Sequence, residues 1–316
     1  MMRPRSRASR RASAWQTSGS TWIVFRSRLA ISPTRIAVLA LPSSLHSYWT
    51  EMARRKAIRA ATGSEAHYED GRYYDQAYRR RRHDVRFYTE LAVHSGGPVL
   101  ELGAGTGRVA LAIGKAGIEV VGVEPMAPML ARACERRDKL PRAARDRIEL
   151  RSGTVERLRL RRSFPLVIAP FNVWMHLYTR EDIERGFATV RHHLEPTGRF
   201  VFDVLLPDPS SLAREPSRRY LGGRVPHPRD GSRYRYSEYF SYDPFSQIET
   251  VMMDFEHPDD DRLSFCTPLT QRQFFPAELE ALLHYNGFAI ESHTGDFKGA
   301  AISAATESQV VVARLR

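Results

Sequence analysis

The chain has 316 residues, 42% of them hydrophobic and 10% aromatic, which suffices for one large or two small domains with a proper core. A formal net charge of +12 would suit a nucleic-acid binder, but residues 1–62 hold 12 of the 48 Lys and Arg and one of the 36 acids, Glu51; residues 63–316 are therefore close to neutral and are not expected to bind nucleic acid. Cys134 and Cys266 are the only cysteines, far apart and in no metal-ligand spacing, so no metal site is expected and a reducing, cytoplasmic compartment is.

Residues 1–51 are rich in Arg, Ser and Ala, and no helical or strand period runs through them. The apolar runs Trp22–Phe25 and Ile36–Leu41 are far too short to span a bilayer, so no membrane anchor is expected. The segment reads as a transit peptide, as a disordered basic arm, or as an over-long reading frame ahead of a natural start at Met52, the reading preferred here. A secretory signal fits poorly, because the first apolar run comes late and no small-residue cleavage site follows it.

Residues 64–96 open the folded part with a dense aromatic cluster, Tyr68-Glu-Asp-Gly-Arg-Tyr-Tyr-Asp-Gln-Ala-Tyr78. Val85, Tyr88, Leu91 and Ala92 recur at spacings of three and four, which predicts a helix from about Asp75 to Val93. Next, Val99, Leu100 and Leu102 form the short apolar run of a buried parallel strand. Gly103-Ala104-Gly105-Thr106-Gly107 follows at once, where glycine lets a ligand lie against bare backbone. Apolar residues from Arg108 onward predict a helix that Gly117 stops, and Glu119–Val123 predicts a second strand with Glu124 at its carboxyl end.

The glycine spacing discriminates between ligands. A dinucleotide fingerprint reads Gly-x-Gly-x-x-Gly, whereas here the third glycine comes one residue early and Arg108 stands in its place. The pattern Glu-x-Gly-x-Gly-x-Gly resembles motif I of the class I S-adenosylmethionine-dependent methyltransferases. That resemblance implies an α/β fold, doubly wound around a mostly parallel seven-stranded sheet, with S-adenosylmethionine as cofactor. It places Glu101, Gly103, Ala104, Gly105, Gly107 and Arg108 along the cofactor. It makes Glu124, followed by Pro125 and Met126, the acid that holds the ribose hydroxyls; a carboxylate can accept two hydrogen bonds from a vicinal diol. In the same family a helix placed like that of residues 75–93 caps the cofactor.

Further along, residues from Met126 to Ala133 are helical in pattern and Ile148–Leu150 is a third strand. Many relatives carry Gly-Asp in the loop that follows, the acid meeting the adenine amino group. This chain has Gly153-Thr154, so at Thr154 that contact must be weaker or come from backbone, and Val155 remains to pack on the adenine face. Phe164–Pro170 is a fourth strand; Pro170 and Phe171 lie at its carboxyl end, where doubly wound sheets place their chemistry. A helix over Arg180–Leu194, a turn at Pro196–Gly198 and a fifth strand over Arg199–Leu206 complete the pattern. His192 and His193, in the helix tail, are expected to be solvated. The reading divides the chain into the arm (1–51), a cofactor-binding core (64–206), an antiparallel β insertion covering the acceptor (207–275), and a last helix and strands completing the core (276–316). Residues 207–231 read as loop, with strands over Arg233–Phe240, Gln247–Phe255 and Arg262–Phe274.

Methyl transfer from a sulfonium needs alignment and exclusion of water more than it needs a triad. The polar candidates are His176, whose imidazole can take or steer a proton, and Tyr74, whose hydroxyl could orient the acceptor. This pair resembles the tyrosine and histidine flanking the acceptor amine in bacterial amino-sugar N,N-dimethyltransferases. Tyr234, Tyr236, Glu238, Tyr239 and Arg272 of the insertion are further candidate substrate contacts, the first three on one strand face. Ala169-Pro-Phe-Asn172 departs from the Asn/Asp-Pro-Pro-Tyr/Phe of enzymes that methylate adenine in nucleic acid. The expectation is an S-adenosylmethionine-dependent methyltransferase of a small molecule, at N or O, with a homodimer allowed. The alternatives are an RNA or protein acceptor reached through the basic arm, and a non-catalytic cofactor-binding protein.

Overall fold

The computed structural model describes residues 63–316 apart from 228, 229 and 304, so the arm over residues 1–51 lies outside the described residues. A 3₁₀ turn at Glu65–Tyr68 leads into α1 (Gly71–Ala77) and α2 (His83–Ser95). The core unit then runs β1 (Val99–Leu102), α3 (Ala110–Lys115), β2 (Val120–Glu124), α4 (Ala127–Asp138), α5 (Arg142–Arg145), β3 (Ile148–Ser152) and β4 (Phe164–Ala169). A second 3₁₀ turn at Val173–His176 precedes α6 (Arg180–His193), β5 (Leu194–Leu205) and α7 (Pro209–Leu212). Four antiparallel strands follow, β6 (Tyr220–Pro226), β7 (Arg233–Asp243), β8 (Ile248–Glu256) and β9 (Phe265–Arg272), and the chain ends with α8 (Pro276–Tyr285), β10 (Phe288–Thr294) and β11 (Ser308–Leu315).

The main sheet has the order β10-β11-β5-β4-β1-β2-β3, parallel except for β11 against its two neighbours. Strand periodicity splits the core into two layers. Leu100, Leu102, Val121, Val123, Phe200 and Phe202 face a layer completed by α6 and α8, with Trp174 and Phe187 at its centre. Val99, Val120, Leu166, Ile168 and Val201 face the opposite layer, completed by Tyr88 and Ala92 of α2 and by α3. The four remaining strands form a separate sheet in the order β6-β7-β8-β9. Its β9 meets both 3₁₀ turns and so ties the insertion to the mouth of the core.

Three expectations are corrected. The single helix over Asp75–Val93 is two helices. Asp70 starts α1 early by accepting the N–H groups of Arg72 and Tyr73 at 3.0 and 2.9 Å, and Tyr78 ends it. The run Arg79–Arg82 that follows would put like charges one turn apart in a continuous helix. The turn at Pro196–Gly198 is instead a bulge inside β5, where the pairing with β4 shifts between Phe164↔Leu194 and Leu166↔Arg199. Residues 207–231 are not all loop, since they hold α7 and β6. Strand β6 has almost no apolar pattern; the ring of Tyr236 lies across Gly222, where a Cβ would meet it at 2.4 Å.

Candidate active site

A cavity of about 340 Å³ opens at the carboxyl ends of β1, β2 and β4, within the size range of small-molecule sites. Its floor is the loop after β1. Ala104 N–H bonds the Val123 carbonyl at 2.9 Å, fastening the loop to β2. Gly105 has φ +57°, the left-handed region that favours glycine. Its N–H donates to Glu124 Oε2 at 2.8 Å, while Met126 N–H donates to Oε1 at 2.9 Å. Each oxygen of Glu124 thus holds one backbone donor and keeps one lone pair for a ligand. Burial nevertheless pushes the Glu124 carboxyl up to about 7, against those two hydrogen bonds. Glu101 is 2% exposed and goes further, up to about 8, chiefly through burial and in spite of the Arg108 charge. Glu101 Oε2 has no hydrogen-bond partner, nor has the buried Thr154 Oγ1. Both are unpaired polar atoms on the cavity wall and fit a polar ligand.

The roof is aromatic. Tyr74 of α1 lies with its ring centroid 6.0 Å from Tyr68, 4.7 Å from Tyr78 and 6.4 Å from Phe171. On the far wall, Tyr68 and His176 Nε2 are 2.8 Å apart and His176 Nδ1 is 3.3 Å from the Tyr178 hydroxyl. The Tyr178 hydroxyl donates to the Thr270 carbonyl of β9 at 3.1 Å, so its oxygen accepts the Nδ1–H. The tautomer assigned on that network protonates Nδ1 and leaves Nε2 to accept from the Tyr68 O–H. Burial pushes His176 down to about 4, holds the phenols of Tyr68 and Tyr74 well above their ordinary value, and raises that of Tyr178. At neutral pH this wall is therefore uncharged.

The structure brings Tyr74, Glu101, Gly103, Ala104, Gly105, Arg108, Glu124, Pro125, Met126, Thr154, Val155, Pro170, Phe171 and His176 to the one cavity. Gly107 does not line it. A Cβ on that residue would meet Leu111 and Ala133 at 3.2–3.3 Å, so its place is close helix packing. Arg108 reaches the cavity, but its guanidinium grips Asp84 through two bonds of 2.8 and 2.6 Å. None of the five candidates in the insertion lines the cavity. Tyr234 packs on His227 and Phe265, the Tyr236 hydroxyl donates to Glu238 on the shared face, and Arg272 pairs with Glu278 at 2.6 Å. His193 is buried, not solvated, and its Nε2 accepts Leu160 N–H at 2.8 Å. The lining residues that periodicity and motif spacing did not single out include Tyr68, Ser64 and Tyr178. Tyr68 stood inside the aromatic cluster, but nothing in the sequence set it apart from its neighbours.

Residues 99–198 match a protein family described as a methyltransferase domain. No curated protein matches the chain in sequence. The fold, the site and that domain define an S-adenosylmethionine-dependent methyltransferase with a Rossmann-like sheet. Among solved structures the chain is similar to the CcbJ methyltransferase from Streptomyces caelestis, with 26% identity, 74% of this chain and 96% of that one covered, and a TM-score of 0.62. It is similar in fold to the glycopeptide N-methyltransferase MtfA complexed with sinefungin, at 24% identity, 74% and 87% coverage and a TM-score of 0.52. The same holds for S-adenosylmethionine-bound CalS10, an amino pentose methyltransferase from Micromonospora echinaspora, at 20% identity, 76% and 95% coverage and a TM-score of 0.57. No helix among the described residues is long and apolar enough to cross a membrane.

Proposed function

We propose that this chain methylates an amine nitrogen of a small-molecule acceptor, with Glu124 receiving the ribose diol of S-adenosylmethionine and Glu101 and the 103–105 backbone flanking its methionine end. Thr154 and Val155 border the adenine. When bound, the cofactor supplies a methyl carbon on a cationic sulfur, the carbon–sulfur bond breaking as the carbon–nitrogen bond forms. The chain's own residues orient the acceptor and exclude water. The observation that carries the reading is the neutral Tyr68–His176–Tyr178 wall. A histidine pushed down to about 4 is too weak a base to activate an alcohol, whereas a free amine attacks with its own lone pair. The product leaves with that proton still on nitrogen, as its ammonium ion, and Tyr68 and His176 serve to orient the incoming amine by hydrogen bonding. The neighbours that act on an amino pentose or at nitrogen support this assignment. A chain with only two cysteines, Cys134 and Cys266, far apart in sequence, supports a reducing cytoplasmic setting.

The test is formation of S-adenosylhomocysteine with D-glucosamine and with D-glucose as acceptor probes, followed by panels of other amino and hydroxy sugars. Amines are expected to be turned over, with kcat/KM rising through the acceptor's own pKa. Methylation confined to hydroxyl acceptors would overturn the assignment. Tyr68→Phe and His176→Ala are expected to lower turnover at least tenfold while S-adenosylhomocysteine binding stays within about twofold, a factor of two being well under 1 kcal/mol.

A further inference from the structure

We propose that Asp203, on β5 and outside the cavity, is a positioning residue that holds the acceptor wall over residues 170–176 in a strained posture. Phe171 and Asn172 have φ +62° and +65°, two consecutive non-glycine residues in the left-handed region. Such a pair persists only where its surroundings impose it. Asp203 supplies three of the contacts that do so. Its Oδ1 accepts Phe171 N–H at 2.8 Å and the Tyr88 hydroxyl of α2 at 2.7 Å. Its main-chain carbonyl accepts Asn172 N–H at 3.1 Å. One fully buried residue thus grips both strained residues and ties them to α2.

The carboxylate charge has a separate use. Oδ2 makes no hydrogen bond; the nearest cation is Arg81 Nη2 at 3.9 Å. That guanidinium lies 4.4 Å above the Phe171 ring, and Arg108, paired with Asp84, lies 5.2 Å from the same ring. A carboxylate draws Arg81 over the ring while its other oxygen holds the ring's own backbone, and no uncharged residue performs both tasks. Asp203 therefore sets the posture of Phe171 directly and that of His176 through the chain between them. The glycine loop and Glu124 are fastened independently, by β2.

This inference rests on the acceptor lying against the 170–176 wall, and its test does not require the acceptor to be known. Amide hydrogen exchange is measured on the peptides covering 101–107 and 170–177 in wild type, Asp203→Ala and Asp203→Asn. S-adenosylhomocysteine affinity is measured by calorimetry in each. Asp203→Asn keeps an oxygen for Phe171 and Tyr88 and loses only the charge, so it should fold even where the alanine variant does not. Exchange over 170–177 is expected to quicken tenfold or more in Asp203→Ala and several-fold in Asp203→Asn. Exchange over 101–107 and cofactor-product affinity should stay within twofold. Val201→Ala, a buried residue of β5 in the core layer that holds none of residues 170–177, serves as control and should leave 170–177 unchanged. Wild-type exchange over 170–177 in both Asp203 variants, or an equal rise in the Val201 control, would overturn the inference. With an acceptor in hand, Asp203→Asn should raise its KM at least fivefold with little change in kcat; an unchanged KM would also overturn it. Failure of D-glucosamine to react would count against the amine assignment alone, because the exchange and affinity results are read without any acceptor.

Discussion

Replacing Glu124 by glutamine probes the cofactor end of the cavity at a single atom. In the wild type both carboxylate oxygens hold a backbone donor, Gly105 N–H at 2.8 Å and Met126 N–H at 2.9 Å, and each has one lone pair left. Glutamine keeps one oxygen. Its NH₂ faces the remaining N–H, donor against donor, and offers one ribose hydroxyl a neutral donor in place of a charged acceptor. Hydrogen bonds to a charged partner are worth roughly 1.5–3 kcal/mol, so S-adenosylhomocysteine should bind at least about tenfold more weakly. The same substitution leaves a backbone N–H unpaired, which costs about 1–3 kcal/mol of folding stability, so the residue is structural as well as ligand-facing. The pH dependence carries a sign. Burial raises the folded Glu124 carboxyl to about 7 from an ordinary 4.5, so its stabilising contribution is full below the ordinary value and is lost as pH rises toward 7. Cofactor binding runs the other way, because the diol prefers the ionised acid. Between pH 8 and pH 6 wild-type affinity should fall by about tenfold, and the slope should flatten in Glu124→Gln, leaving the part owed to Glu101. Calorimetric titrations with S-adenosylhomocysteine at pH 6, 7 and 8, beside thermal unfolding, measure both effects. Wild-type affinity in a folded Glu124→Gln protein would refute the placement of the diol on this acid.

The folded Glu101 carboxyl is pushed up to about 8 from an ordinary 4.5, so its contribution to stability is full below 4.5 and is lost as pH rises to 8; Glu101→Gln should raise the melting temperature relative to wild type by an amount that grows over that range and levels off above pH 8, and differential scanning calorimetry showing a gap that does not widen with pH would contradict it. His67 and His176 are both pushed down to about 4 by burial, so what they contribute to stability is full above pH 6.5 and is lost as pH drops toward 4; in urea unfolding at pH 7, 5.5 and 4.5 the midpoint of His176→Gln should gain on that of wild type in that order, a difference that cancels the opposite slopes of Glu101 and Glu124. Asp75 joins α1 to α4 by accepting from Arg132 at 2.8 Å and Arg136 at 2.9 Å, and takes the Thr106 hydroxyl of the cofactor loop at 2.6 Å. These groups are partly solvated, so Asp75→Asn should cost only about 1 kcal/mol, or roughly 2–4 °C of melting temperature, shrinking in 1 M salt.

Local chemistry alone made the cofactor half of the site readable. The unit from β1 to Glu124 is continuous in sequence, its turn demands glycine, and its acid ends a strand whose direction the apolar run already implies. Gly107 shows the limit even there, because spacing reveals that glycine is required but not whether ligand or helix is the reason. The alternation of Val99 and Leu100, or of Phe200 and Val201, was legible as strand, and it alone divides the two layers of the core. Contacts between distant residues were not legible. Tyr68 meets His176 across 108 positions, and Asp203 reaches Phe171 across 32; neither separation has a period that a sequence displays. The break at Tyr78–Arg82 depends on Asp70 and on the buried Asp84–Arg108 pair, and in β6 the ring of Tyr236 covers Gly222, in a stretch that reads as loop. Residue types and short-range order determined the class of fold and the glycine loop and acid that line one side of the cavity. Only the tertiary structure decided which tyrosine partners the histidine, which acids are buried enough to change their affinity for protons, and which residues shape the acceptor wall, because each of these follows from how far folding removes a group from water and what it is then left facing.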